Sequence, residues 1–255
     1  MEDLEFAERF ARHAGGRIVA LRKTAGRRKK LDRTDVTDAD ESLNDEFIQA
    51  VERREGSNAS VKGEERSKMT GAARIWVIDP VDGTGEYVDD SVPDRQLTTC
   101  VGISLLVQGR LTLSVVNNPF RREMFTAQAG GPAKLNGRAI TCSSADWRRG
   151  MRYDYAHWDS APYDLRGLER VLGRPIGHYS AIYQACMVAT GRSAFAAFPG
   201  NTIHDIAPGG LVVFRAAGRV TDLRGGRLDW DDLGRGVLYA NRAVHAQALR
   251  AIAAL

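Results

Sequence analysis

Apolar and polar positions recur along this chain with two periods, and the switches between them predict its elements. Residues 2–23 follow the helical period, with Leu4, Phe6, Phe10, Ala14, Ile18 and Leu21 on one broad face and Gly15 and Gly16 allowing close packing. A second helix is predicted over residues 40–54, where Leu43, Phe47, Ile48 and Val51 supply the apolar contacts, before a turn at "GSN", 56–58. The run "IWVID" at 75–79 predicts a strand ended by Pro80. "TTCVGISLLV" at 98–107 and "RLTLSVVNN" at 110–118 predict two more, joined by a turn at Gln108–Gly109. "EMFTAQAGGPAKLNG", 123–137, predicts a strand, a glycine turn and a short return. So many strands in the first half predict an α+β unit.

The second half is patterned differently. Residues 145–178 predict strand and helix elements at a domain junction, and residues 180–191 a small-residue helix ended by Gly191. A further helix is expected over 205–217, with Pro208 near its start, where the first turn tolerates a missing N–H. The expected division is an α+β part over residues 1–142 and an α/β part over 143–255.

Composition narrows the classes. With 255 residues, 43% apolar and 27% charged, the chain can bury a sizeable core and reads as soluble. It has no apolar run long enough to cross a bilayer and no apolar leader with a cleavage site, so a cytoplasmic setting without membrane contact is expected. Cys100, Cys142 and Cys186 are scattered, which fits reduced thiols and argues against a zinc cluster. The net charge of +4 is concentrated at the start, where residues 1–30 carry nine basic and four acidic side chains, including "GRRKK" at 26–30. No aromatic residues are interleaved with it, so a solvated helix end near an anionic substrate is preferred over a nucleic-acid surface.

The chemistry concentrates in "WVIDPVDGTGEYV", from Trp76. Asp79 at a strand end and Asp82 just beyond Pro80 allow two readings: they cap a turn, or they hold a cation against a phosphate. Glu64, Asp79, Asp82 and Asp205 can make one metal site if the fold joins their loops. Gly83 lets backbone approach a phosphate, and Thr84 can orient a water. No frame places a Ser–His–Asp triad as clearly, and the glycine-rich pieces lack a P-loop lysine.

"GEERS", "WVIDPVDGTGEYV" and "HDIAPGGLVVFRAAGRVTD", in that order, resemble the diagnostic regions of the inositol monophosphatase family, the lithium-sensitive, magnesium-dependent phosphatases. "VVNNPFRREMFTAQAGGPAKLNG" and "ACMVATG" extend the resemblance over most of the chain. It implies a layered αβαβα sugar-phosphatase fold, α/β overall, and a homodimer acting on a small phosphorylated metabolite. It also implies two or three Mg²⁺ ions. One would lie on Glu64, Asp79 and the Val81 carbonyl, a second on Asp79, Asp82 and Asp205, and a weaker third near Glu64. Thr84 with Asp40 would position and deprotonate the attacking water, and the Gly83 and Thr84 amides would hold phosphate. Glu65 is expected outside the ligand set.

Several positions depart from the family pattern. Gly85–Glu86–Tyr87 stands where inositol monophosphatases commonly have Thr–Asn–Phe, and looks more like the bisphosphate nucleotidase branch. Phe198 lies near the place where inositol-selective members carry a substrate-contacting glutamate, and His204 stands in place of a tryptophan. Glu86, Phe198 and His204 are therefore the candidate substrate contacts, and read equally as a solvated loop acid, a core phenylalanine and a packed structural histidine, beside a rim at 151–163; Arg121 and Arg122 read either as a second-phosphate site or as a hydrated turn. These departures keep open a second reading, a phosphatase-like scaffold or regulator that has lost turnover.

Overall fold

Alternate residues of one central strand belong to different cores, and that alternation organises the molecule. The computed structural model describes residues 1–24, 26–29, 35–157 and 161–255. Lys30 of the basic run, and Trp158, Asp159 and Ser160 of the expected rim, lie outside the described residues. The helices are α1 (Asp3–Leu21), α2 (Asp38–Glu55), the single turn α3 (Thr84–Tyr87), α4 (Leu168–Leu172), α5 (Ala181–Ala189), α6 (Ile203–Arg215) and α7 (His245–Ala253). A short antiparallel pair, β1 (Arg27–Lys29) with β2 (Asp35–Thr37), precedes α2.

The main sheet has seven strands in sequence order: β3 (Val61–Gly63), β4 (Arg74–Asp82), β5 (Cys100–Val107), β6 (Arg110–Asn118), β7 (Glu123–Gln128), β8 (Lys134–Leu135) and β9 (Arg138–Ala139). Within it only the β3–β4 pairing is parallel. The second sheet orders β10 (Tyr153–Tyr155), β11 (Phe195–Phe198), β13 (Val237–Ala240) and β12 (Arg219–Thr221), with β10 and β11 parallel.

On β4, buried Trp76 and Ile78 pack with α1 and α2, around Phe6, Phe10 and Phe47. Val77 points the other way, into a core shared with α5, α6 and the inner face of the second sheet, including Phe198 and Tyr239. The outer face of that sheet, with Tyr153 and Phe195, packs under Leu168 of α4 and Ala248 of α7. A strand buried on both faces reads as a continuous apolar run, and the layers stack as αβαβα. The chain passes from one sheet to the other between β9 and β10, and the middle helices serve both halves through one core.

Two local predictions need correction. Pro80 does not end β4; the strand continues to Asp82, with its register against β5 slipping between Asp79 and Asp82. Proline cannot donate to a ladder, and such an irregularity is where a sheet accommodates one. Pro208 is the sixth residue of α6 rather than part of its first turn. Its ring lies against Gly102 of β5, where a Cβ would crowd it. The Gln108–Gly109 turn forms as expected, with φ of 52° and 70° at the two residues, the left-handed pair that a two-residue hairpin requires.

The basic start is not an open cationic face throughout. Arg28 reaches Asp38 at 3.1 Å and Glu41 at 2.6 Å. Among the described residues no helix is long and apolar enough to cross a membrane.

Phe47 is fully buried, with ring centroids 4.8 Å from Phe10 and 6.1 Å from Trp76. Phe47→Ala should therefore cost about 3–5 kcal/mol of stability, read as a lower urea midpoint.

Candidate active site

Two capping boxes place two of the acids. At the start of α2, Thr37 is the N-cap and Asp40 the third helical residue; Asp40 Oδ2 accepts from Thr37 N–H at 2.8 Å and from Thr37 Oγ1 at 2.5 Å. At the start of α6, Asp205 Oδ2 likewise accepts from Thr202 N–H at 3.0 Å and from Thr202 Oγ1 at 2.6 Å. The other two aspartates come from the irregular end of β4. Asp79 Oδ1 accepts from Val81 N–H at 3.0 Å. Asp82 Oδ2 accepts from the Ser180 hydroxyl and from Ile182 N–H, the latter at 2.7 Å, at the start of α5. In each of the four side chains at least one oxygen is held by a neutral donor of the fold.

Glu64 follows β3, where only glycine fits at position 63: a Cβ there would collide with the Asn44 amide oxygen and the Arg66 carbonyl. The Glu64 N–H donates to Ile78 O of β4 at 3.3 Å, which fixes the acid beside Asp79's strand.

Oxygens of Asp79, Asp82 and Asp205 lie within 4.8 Å of one another, and so do those of Asp40, Glu64 and Glu65. Asp79 joins the two groups electrically: its carboxyl is held well above the usual range by burial first, then by the charges of Glu64, Asp82, Asp205 and Asp40. Burial and the neighbouring Asp205 push Asp82 up to about 8, against its bonds from Ser180 and Ile182. Burial, aided by Glu64 and Glu65 and opposed by Thr37, raises Asp40 to about 7. Crowded, oxygen-only donors fit a hard divalent cation such as Mg²⁺, whereas sulfur or imidazole would point elsewhere.

Beside the acids, Gly83 adopts φ 90°, a left-handed turn that presses its Cα toward Ser180. The Thr84 hydroxyl lies 3.2 Å from Asp40 Oδ1 and 2.8 Å from Val81 O. The Val81 carbonyl keeps a second lone pair in addition to the one Thr84 uses. A cavity of about 330 Å³ adjoins this region, lined by Lys62, Ser67, Asn201, Thr202, His204 and Trp230 among others.

The substrate-side expectations fare differently. Phe198 is fully buried in β11, edge-on to Tyr239 at 5.7 Å, so it is a core residue and not a substrate contact. Glu86 is also turned inward: its Oε2 accepts from Thr98 N–H at 2.6 Å and Thr98 Oγ1 at 2.7 Å. His204 does line the adjoining cavity, with Nε2 2.6 Å from Thr202 Oγ1. Arg121 is exposed, as a side chain on a hydrated turn would be, and its guanidinium also donates to Leu97 O and Gln96 O and lies over the Tyr183 ring. Sequence reasoning passed over Ser180, whose only signal was its place before a helix, and set aside Glu65, which the fold groups with Asp40 and Glu64.

Raised carboxyls make the metal-free protein sensitive to alkali. Between their ordinary values near 4 and their folded values near 7 to 8, the folded state holds more protons than the unfolded one, so stability falls as pH rises. The thermal midpoint of chelator-treated protein should drop by several degrees between about pH 5.5 and about pH 8.5. Mg²⁺ should flatten that drop, because a cation replaces the protons.

Known proteins resemble this chain along its whole length. A profile described as the inositol monophosphatase family matches residues 2–255. The Nus factor SuhB of Pseudomonas aeruginosa is 31% identical over 204 residues, covering 74% of this chain and 73% of its own. An inositol monophosphatase of Dictyostelium discoideum is 29% identical over 222 residues, 81% of this chain and 78% of that one. Among solved structures, the IMPase of Thermotoga maritima superposes with a TM-score of 0.86 over 100% of this chain and 98% of its own, at 23% identity. With its profile match running from end to end, the chain belongs to the inositol monophosphatase family and is by that membership a phosphatase.

Proposed function

We propose that this phosphatase is a Mg²⁺-dependent phosphomonoester hydrolase of a small phosphorylated metabolite. The observation that carries the proposal is the convergence of Asp79, Asp82 and Asp205 within 4.8 Å, with Asp79 also under the charges of Glu64 and Asp40. Glu64, Asp79 and the Val81 carbonyl would hold one ion, and Asp79, Asp82 and Asp205 its neighbour. Bound there, Mg²⁺ would screen the phosphate charge and make water a better nucleophile.

The remaining steps belong to the chain's own groups. The Gly83 and Thr84 amides, at the left-handed turn into α3, would receive the phosphate oxygens. Thr84 Oγ1 would orient the attacking water and pass its proton to Asp40 Oδ1, 3.2 Å away. Asp40 is suited to act as that base, because a buried carboxyl raised to about 7 gains a proton at little cost near neutral pH. Its other oxygen stays tied to Thr37, so the base does not swing away. The leaving group would lie toward Thr202 and His204, where the adjoining cavity is lined by both polar groups and Trp230.

The test is inorganic phosphate release from inositol 1-phosphate, adenosine 3′,5′-bisphosphate, fructose 1,6-bisphosphate and histidinol phosphate, with Mg²⁺ or with chelator. Turnover of at least one ester, abolished by chelator and by Asp82→Ala, is expected. Asp40→Asn should lower kcat by about 10²–10⁴-fold with little change in KM, because it removes a proton acceptor and leaves the ligand set. Full turnover in chelator would refute the metal-dependent reading.

A further inference from the structure

We infer that Ser180 is a positioning residue for Asp82, and that residues 177–180 form a clamp through which the second sheet fixes the acid cluster on the first. The inference rests on the metal-dependent reading above and concerns a residue that no sequence motif singled out.

Ser180 is completely buried at the N-cap of α5. Its hydroxyl has a single proton, and donates it to Asp82 Oδ2. Ser180 Oγ in turn accepts from Tyr183 N–H at 2.9 Å and lies 3.3 Å from Cys100 Sγ. Every direction around it is therefore occupied, and Asp82 cannot rotate its bonded oxygen without leaving a buried donor unpaired.

The turn is held from both sides. Toward the first sheet, Ser180 N–H donates to Thr98 Oγ1 at 3.3 Å, and Thr98 in turn donates twice to buried Glu86. Toward the second sheet, Gly177 N–H and His178 N–H both donate to Asp154 Oδ1, at 3.0 and 3.1 Å. His178 Nδ1 pairs with Asp154 Oδ2 at 3.0 Å, and the Ser193 hydroxyl reaches the same oxygen at 3.3 Å. Asp154 is itself fully buried on β10. A Cβ added at Gly83 would meet Ser180 at 3.3 Å, so the clamp also backs the turn that carries the proposed phosphate amides.

A purely structural account would make Ser180 only the cap of α5, bonded to Tyr183 N–H. The two roles separate by substitution, because glycine is nearly as good an N-cap as serine but has no hydroxyl to give Asp82. Binding of Mn²⁺, counted as loss of the free-ion electron paramagnetic resonance signal, reads the site without any substrate. Ser180→Gly and Ser180→Ala should each weaken one class of Mn²⁺ site by about 10–100-fold, the usual cost of losing a partner of a metal ligand. Ser180→Thr, which keeps the hydroxyl, should stay within about 3-fold of the natural protein, and Thr98→Val should fall between. Urea unfolding of each metal-free variant establishes that it is folded before its affinity is compared. Unchanged Mn²⁺ affinity in folded Ser180→Gly or Ser180→Ala would overturn the inference, as would an equal loss in Ser180→Thr. If the natural protein binds Mn²⁺ and these variants lose it, yet no ester in the panel is hydrolysed, the proposed reaction falls and the positioning role stands.

Discussion

Like charges crowded out of water set the terms for this molecule. Asp79, Asp82 and Asp205 bring oxygens within 4.8 Å, and the first two are buried. Carboxylates so placed repel strongly in a medium of low dielectric, and either keep protons or gather a cation. Among the described residues, no arginine or lysine is paired with these three acids to relax the tension. The fold meets one oxygen of each with neutral donors only, an arrangement that serves a cation better than it serves stability.

Three helices share in making that arrangement tolerable. Asp40 and Asp205 sit in the first turns of α2 and α6, and Asp82 takes an N–H from the first turn of α5. The partial positive charge at a helix N-terminus favours nearby anions and weakens within a turn, so each acid is placed where its helix helps it most. Convergence of these starts depends on the five layers. Helix α2 lies on one side of the main sheet, α5 and α6 on the other, and the irregular end of β4 lies between them. The same N-termini suit an anionic substrate, so the geometry that tempers repulsion among the acids is also disposed to receive a phosphate.

Much of this was legible in the chain, for reasons that differ by residue. Strands flanking a two-residue turn at Gln108–Gly109 follow from local chemistry alone, as does a helix ended by left-handed Gly191. Asp40 read either as a helix cap or as a partner of Thr84, and Asp205 either as a cap or as a ligand; in the fold each caps its helix through Oδ2, and Asp40 Oδ1 also meets the Thr84 hydroxyl, so capping does not keep these acids from the cluster. Pro80 misled because its usual meaning, the end of a strand, was overridden by a local slip in register against β5. Ser180 was invisible for a different reason. Its importance depends on Asp82, Thr98 and Asp154, none of them near it in sequence, and only the folded chain brings them together.

The departures from the family pattern have to be weighed by where they point. Glu86 pointed to a nucleotidase-like branch because Gly85–Glu86–Tyr87 resembles that branch's sequence after the phosphate turn. Its carboxylate instead faces Thr98, and through Thr98 it supports the turn that holds Asp82. Phe198 stood near the place of a hydrogen-bonding side chain in the family pattern, but its ring is buried in the core beside Tyr239. Two residues expected to speak about substrate thus speak about packing. A remaining departure lies at the start of α6. There Thr202 bonds Asp205 with one hydroxyl and meets His204 with the same oxygen, so a single side chain touches both a proposed metal ligand and the wall of the adjoining cavity. A displacement of His204 that pulled on Thr202 would therefore be felt at Asp205 as well, through the one hydroxyl they share.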